Sequence, residues 1–174
     1  MARMNDLDQG KRARLLVNVF LPACAFVLVA FYALLFQRDN AASVVDPDGF
    51  SADGGDFLYE MEGCWSNDKK LAASGWIVRK GHGVARRTVK VVVVEDGSGQ
   101  VRAMKTSQID REDVSKDVNG RLGDAVRYRN AGFTASLNRR AAEPPIGPGA
   151  LYIAFDDGGK KVMLPIPCRV GQPQ

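Results

Sequence analysis

The chain has 174 residues, of which 45% are apolar and 25% are charged, and its formal net charge is +4. This length fits one domain with an appendage, and the composition excludes an intrinsically disordered chain. The charge is uneven along the chain. Residues 1–14 carry four basic and two acidic side chains, and residues 37–62 carry one basic and seven acidic side chains. Residues 63–174 carry 19 basic and 11 acidic side chains. A basic C-terminal region therefore follows an acidic segment.

The first predicted element is a membrane-spanning helix over Leu15–Phe36. These 22 residues include no charged side chain, and a helix of that length extends about 33 Å, against a hydrocarbon core of about 30 Å. A cleaved signal peptide is the alternative, but its apolar region is usually about 7–15 residues long and ends in a small-residue cleavage site. The small residues at 41–43 come only after the charged Arg38 and Asp39. A membrane anchor is therefore the favoured interpretation.

The charges that flank this segment predict its orientation. Four basic side chains precede it within residues 1–14, whereas only Arg38 closely follows it. Because Lys and Arg resist translocation, residues 1–14 are predicted to form a cytoplasmic tail. Residues 37–56 have the composition of an acidic linker, and residues 57–174 are predicted to form an extracytoplasmic domain. In a bacterium this topology is that of a single-pass inner-membrane protein with a periplasmic domain.

After the acidic segment, short apolar stretches alternate with turn signals, as in antiparallel sheets. The strongest strand ends in residues 89–94, and the Glu95–Gly99 segment that follows is typical of a hairpin turn. Farther along, Leu151, Ile153 and Phe155 share one face of a strand. About seven strands at this spacing predict a mainly β fold, an Ig-like antiparallel β-sandwich. The predicted strands are Phe57–Trp65, Leu71–Arg79, Val84–Val94, Gln100–Thr106, Gly132–Leu137, Gly149–Phe155 and Lys161–Pro167.

One stretch, Ser107–Val118, departs from the strand pattern. A serine followed three residues later by an aspartate resembles a capping box, and Ile109, Val114 and Val118 share a helical face. We expect a short helix here that crosses one end of the sandwich. The prolines within residues 141–149 predict an extended loop.

The three cysteines divide between the two predicted compartments. Cys24 lies within the apolar segment and is interpreted as a small apolar filler. Cys64 lies in the first predicted strand and Cys168 begins the 168–170 segment that ends the last one, and in an oxidising compartment such a pair favours a disulfide. Two buried free thiols are the alternative. No metal or cofactor site is predicted, since two cysteines and one histidine do not supply the four ligands of a structural zinc site.

Candidate catalytic groups are weak in this sequence. His82, the only histidine, stands between two glycines in a predicted turn, and the nucleophile-elbow pattern G-x-S-x-G does not occur. Asp110, Glu112, Asp113 and Asp117 form a local acidic cluster that resembles the paired carboxylates of sugar hydrolysis. On an exposed helix, however, such residues more often form a solvated face. A non-enzymatic protein is therefore predicted.

Aromatic and basic residues supply the candidate binding groups. Stacking on sugar rings is one role for the aromatics Trp65, Trp76 and Tyr128, although strand aromatics usually fill the core. The basic excess predicts contacts with anionic envelope glycans or lipid headgroups, and the expected external location argues against nucleic acid. The arginines assigned to partner binding are Arg86, Arg87, Arg139 and Arg140.

Several short motifs follow one another in an order that resembles a known group of domains. They are Gly75-Trp76, Arg111-Glu112-Asp113-Val114, Ala131-Gly132-Phe133 and Gly149-Ala150-Leu151-Tyr152-Ile153. This order is similar to that of the small extracytoplasmic β-sandwich domains of bacterial envelope proteins, which are often attached to membrane glycosyltransferases. The resemblance covers roughly residues 71–155, with Glu112 where the pattern prefers proline. It implies an accessory or binding module and supplies no catalytic residues.

Three functional hypotheses follow. The first is a non-enzymatic accessory or interaction protein of the bacterial envelope that works beside a glycan-synthesis or surface-assembly complex. Such a protein would contact a membrane partner through its helix, where Ala23, Cys24 and Ala25 offer a packing face. The second is a membrane-tethered carbohydrate-binding module, which should expose an aromatic ring in a concave site. The third is a hydrolase that uses the acidic cluster, which should bring two carboxylates with perturbed pKa values together.

Overall fold

The computed structural model describes residues 3–40, 42–83, 86–139, 142 and 145–171. The chain divides into two compact units, Met1–Asp39 and Asn40–Gln174. The first unit consists of one helix, and the second contains two β-sheets with one short helix. The predicted class, an apolar N-terminal helix followed by a mainly β domain, is confirmed.

Helix α1 extends from Arg3 to Asn40 and includes Pro22. Within the described residues, its Val17–Arg38 segment is the one helical stretch long and apolar enough to cross a membrane, with a mean hydropathy of 2.5. The large apolar side chains along it are between 42% and 75% exposed. Apolar surface of this extent requires contact with lipid or with another apolar surface.

In the second unit, the strands and the helix are β1 Ser43–Val44, β2 Phe57–Ser66, β3 Lys70–Arg79, β4 Thr88–Glu95, β5 Val101–Ala103, β6 Lys105–Ile109, α2 Glu112–Leu122, β7 Gly132–Asn138, β8 Gly149–Asp156 and β9 Lys161–Val170. Sheet I has the order β1-β5-β4-β8-β9, and sheet II has the order β2-β3-β7-β6. Neighbouring strands in both sheets are antiparallel.

The two sheets enclose one main core, to which alternate residues of each strand contribute. Val89, Val91 and Val93 of β4 face the same interior as Ile77 of β3 and Phe133 of β7, and all five side chains are buried. The predicted face of β8, formed by Leu151, Ile153 and Phe155, is also buried in this core. The period of two in these strands therefore reflects burial of one face.

The acidic segment is not a plain linker. Ser43–Val44 forms β1 against β5, and Ser51 bridges Val162 of β9. Val45 and Phe50 pack on the outer face of sheet I, against a cluster that includes Val92. The prediction of an acidic linker over 37–56 is wrong for this part, because the outer face of sheet I is apolar and the few apolar residues of the segment cover it.

The predicted strand Gln100–Thr106 is two strands. β5 pairs with β4 in sheet I, and β6 pairs with β7 in sheet II. The chain changes sheets at Met104, whose side chain is buried in the main core. The consecutive apolar residues Ala103 and Met104 mark this point, but no turn residue separates the two strands, which is why the sequence alone predicts one strand.

Helix α2 begins later than predicted. Residues 105–109 form β6, the helix starts after Arg111, and no side chain caps its first turn. The proposed capping serine is therefore wrong, and Ile109 is an exposed strand residue. The predicted helical face is correct for Val114 and Val118, which are buried against Trp76 and Val78 of sheet II.

A disulfide joins Cys64 and Cys168, with 6.3 Å between their Cα atoms. Cys64 lies in β2 at the edge of sheet II, and Cys168 lies in β9 at the edge of sheet I. The bond therefore links the two sheets, and the predicted pairing is confirmed.

We expect the double variant Cys64→Ala/Cys168→Ala to lose about 4–5 kcal/mol of unfolding free energy, because the bond closes a long loop in the unfolded chain. Urea denaturation of the full chain in detergent, with Cys24→Ala as the control, measures this loss. Alkylation of unreduced protein should leave Cys64 and Cys168 unlabelled. Quantitative labelling of both thiols before reduction would contradict the bond.

Gly75 should tolerate no side chain, because it lies against the backbone of β2. A Cβ atom there would overlap the carbonyl oxygen of Glu60 and lie 3.2 Å from the Cα atom of Met61. Gly75→Ala is expected to destabilise the domain by about 1–3 kcal/mol. The matched control is Gly97→Ala in the hairpin turn, where no atom lies within 4 Å of the new methyl group. Equal denaturation midpoints for the two variants would contradict the close approach.

Candidate binding surface

The outer face of sheet II carries small and hydroxylated side chains. Since Leu71 and Ala73 of β3 point into the core, Ala72 and Ser74 point outward. By the same alternation, β7 presents Thr134 and Ser136 on this face. Such a surface offers hydrogen-bonding hydroxyl groups and leaves room for a ligand to approach the sheet.

Helix α2 covers one part of this face, where it packs on Trp76 and Val78. The part beyond the helix forms a groove of about 610 Å³. We call it the Trp65 groove; its lining residues are Trp65, Asn67, Lys70, Ala72, Ala73, Ser74, Thr134, Ala135 and Ser136. This lining contains no carboxylate.

A β-bulge in β2 places Trp65 in the groove. The pairing of β2 with β3 shifts between Met61 and Gly63, so Glu62 is an extra residue. Before the bulge, Phe57 and Met61 pack on the core. After it, Cys64 points inward and Trp65 outward, because one inserted residue exchanges the two faces of a strand.

The indole ring of Trp65 lies over Gly63. A Cβ atom at position 63 would overlap ring atoms Cη2 and Cζ3 and would lie 3.0 Å from Ser74 Oγ. The side chain is nevertheless 59% exposed. Part of the ring thus rests on the sheet while much of the side chain remains open to solvent, and an exposed aromatic ring of this kind can stack on the apolar face of a sugar.

The rim of the groove is a polar turn with basic side chains. Asn67 Oδ1 accepts hydrogen bonds from the backbone amides of Lys69 and Lys70 at 2.9 and 2.8 Å. Arg139 Nη1 donates to the Asn67 carbonyl oxygen at 2.9 Å. The structure therefore brings two predicted binding residues, Trp65 and Arg139, to the same site.

The other predicted aromatics lie elsewhere. Trp76 is 4% exposed and Tyr128 is fully buried, both beneath α2. The Tyr128 hydroxyl donates to Asp124 Oδ2 at 2.6 Å and accepts from the Gly81 amide at 3.0 Å. Burial, followed by the bond to Asp124, raises the pKa of Tyr128. Their assignment to glycan binding is therefore wrong, since neither ring has a face open to a ligand.

The predicted arginines do not form one patch. Arg87 donates to the carbonyl oxygen of Arg129, which precedes β7, whereas Arg139 follows the end of β7. Arg86 is exposed just before β4. Arg140 lies outside the described residues.

Two members of the acidic cluster, Asp113 and Asp117, are engaged by arginines. Arg111 forms a two-point ion pair with Glu62, both contacts at 2.8 Å, and also contacts Asp113 at 2.7 Å. The hydrogen bond from Arg111 lowers the pKa of Asp113 to about 2. Asp117 pairs with Arg121 one turn away at 2.8 Å. A general acid needs a raised pKa, so the shift at Asp113 has the wrong sign for the hydrolase hypothesis.

No protein-family model, curated protein or solved structure matches this chain. Within the described residues, no group of three His, Cys, Asp or Glu side chains could hold a metal ion. A ligand in the Trp65 groove can stack on the indole ring and form hydrogen bonds with the groove's polar groups. In the sequence, Trp65 itself was the residue that indicated this site. The bulge and the Arg111–Glu62 pair have no signature in the sequence.

Proposed function

We propose that this chain is a non-enzymatic, single-pass membrane-anchored accessory protein of the bacterial cell envelope, and that its domain binds glycan in the Trp65 groove. The observation that carries the proposal is the exposed indole ring resting on Gly63 beside the hydroxyl groups of Ser74, Thr134 and Ser136. Sugar rings have apolar C–H faces and peripheral hydroxyls, which match a flat aromatic ring surrounded by hydroxyl groups.

The exposed apolar surface of α1 supports membrane anchoring. The basic residues within 1–14 favour a cytoplasmic N-terminus, and a periplasmic domain would follow from that orientation. The Cys64–Cys168 bond supports the same side, because disulfides persist in oxidising compartments. The protein would work beside a complex that makes or assembles surface glycans, and a membrane partner would contact helix α1.

The proposed topology can be tested with reporters fused to the C-terminus of the full chain. A reporter active only in an oxidising compartment should work, and a cytoplasm-specific reporter should not. The matched control places the same reporters after Arg14, where the expected pattern reverses. Activity of the cytoplasmic reporter alone at the C-terminus would overturn the topology.

Glycan binding predicts that Trp65→Ala weakens affinity by about 1–2 kcal/mol, or roughly 5- to 30-fold, as for an aromatic anchor at a binding site. Gly63→Ala should also weaken it, because the added methyl group displaces the ring while the tryptophan remains. Calorimetry of the full chain in detergent with soluble envelope oligosaccharides provides the measurement.

The control is Ile109→Ala, which removes an exposed apolar side chain of sheet II outside the groove. It should bind as the native chain does. Unchanged affinity in folded Trp65→Ala and Gly63→Ala proteins would refute the groove as the site. If Asp113→Asn instead abolishes the cellular process that the protein supports while both groove variants sustain it, the hydrolase hypothesis is favoured.

A further inference from the structure

A second cavity lies where the chain passes from sheet I to sheet II. β5 pairs with β4 only along Val92–Val94, and after Met104 the chain continues as β6 beside β7. The segment Thr88–Val91 therefore has β8 on one side but no ladder partner on the other among the described strands. A gap opens beside this half of β4.

Polar backbone groups of β4 face this gap. The Val91 amide donates to Thr106 Oγ1 at 3.0 Å, and its carbonyl oxygen accepts from the Met104 amide at 2.9 Å. Because alternate residues of an antiparallel strand direct their backbone groups to the same side, the N–H and C=O of Val89 point the same way. The contact of Gln108 Nε2 with the Arg87 carbonyl oxygen at 3.5 Å agrees with this direction.

The gap forms a pocket of about 430 Å³, which we call the strand-switch pocket. Three cationic side chains, Arg87, Lys90 and Lys105, belong to its lining, and no carboxylate does. The remaining lining residues are Ser43, Thr88, Val89, Ala103, Met104, Thr106 and Gln108. The pocket therefore combines positive charge with hydroxyl, amide and backbone donors.

Arg87 is held at this pocket in a partly desolvated state. Its guanidinium donates to the carbonyl oxygen of Arg129. Burial lowers the pKa of Arg87, and the charge of Asp157 opposes that effect in part. A desolvated cation gains more from a bound anion than a fully solvated one, since the attraction is less screened.

We propose that the strand-switch pocket binds a phosphate group. A tetrahedral phosphate has several acceptor oxygens, and these match the guanidinium of Arg87, the two lysine ammonium groups and the backbone donor of Val89. Phosphate groups at an envelope surface occur both in lipid headgroups and in phosphate-containing polymers, and the pocket recognises the chemistry that they share. The inference does not rest on glycan binding in the Trp65 groove.

The test uses the full chain kept soluble in a non-ionic, phosphate-free amphipol. Three probes are offered: inorganic phosphate, a soluble poly(glycerol phosphate), and separate vesicles of phosphatidylglycerol. The pocket variant is Lys90→Gln/Lys105→Gln. The control variant, Lys116→Gln/Lys161→Gln, removes the same net charge from exposed positions outside both cavities.

We expect phosphate, measured by ³¹P line broadening, to bind the native and control proteins within twofold of each other and the pocket variant at least tenfold more weakly. If the native protein binds the polymer and the pocket variant does not, the natural ligand is a phosphate-containing polymer. If the native protein binds only the vesicles and the pocket variant does not, the natural ligand is a lipid headgroup. Equal losses in both variants would show non-specific attraction and overturn the proposal. Absence of phosphate binding to the native protein would also overturn it, and unchanged thermal midpoints exclude misfolding as the cause.

Discussion

The β-bulge at Glu62 determines which side chains of the edge strand β2 point into the core and which point outward. One extra residue in β2 exchanges the faces of the strand, so Cys64 reaches Cys168 in the opposite sheet while Trp65 reaches the outer surface. In a regular strand these two residues would have the opposite orientations. The inter-sheet bond and the candidate glycan platform therefore share one structural cause.

Arg111 holds this bulge from outside. Its two-point contact fixes the side chain of the inserted Glu62, and its aliphatic part lies over Gly132 of β7. Ion pairs at such exposed positions contribute about 0–1 kcal/mol, against about 4–5 kcal/mol for a disulfide that closes a loop of this length. The disulfide thus dominates stability, whereas the ion pair mainly selects the geometry of the bulge and of the first turn of α2.

Much of the strand content could be predicted because burial of one face leaves a period of two in the sequence. β8, with Leu151, Ile153 and Phe155, and the hairpin at Glu95–Gly99 are examples. The disulfide was also predictable, since the two cysteines fall in strands at opposite ends of the domain. The strands and the hairpin depend on local patterns, which a single sequence carries, whereas the disulfide followed from there being two cysteines outside the apolar segment.

Other features depend on contacts distant in sequence, and the sequence did not reveal them. The sheet change at Met104 is marked by no turn residue, so one strand was predicted where there are two. The insertion of Glu62 is recognisable only once the pairing with β3 is known. Trp76 and Trp65 look alike in sequence, and only α2, which covers the first, distinguishes a core residue from an exposed one.

The charge distribution acquires a different meaning in three dimensions. The acidic residues of 37–62 do not form a separate negative segment, because Asp56 pairs with Lys160 at 2.7 Å and Glu62 pairs with Arg111. Arg79 and Arg169 are likewise matched by Asp157 and Asp96.

The basic excess of residues 63–174 is therefore not spread evenly over the domain. Cationic side chains line both cavities, Lys70 in the Trp65 groove and Arg87, Lys90 and Lys105 in the strand-switch pocket, and neither lining contains a carboxylate. We expect ligands that carry negative charge to be favoured at both places for the same electrostatic reason. The two sites still differ in kind, because only the groove offers an aromatic ring. A polymer that alternates sugars with phosphate groups would combine the chemistry of both.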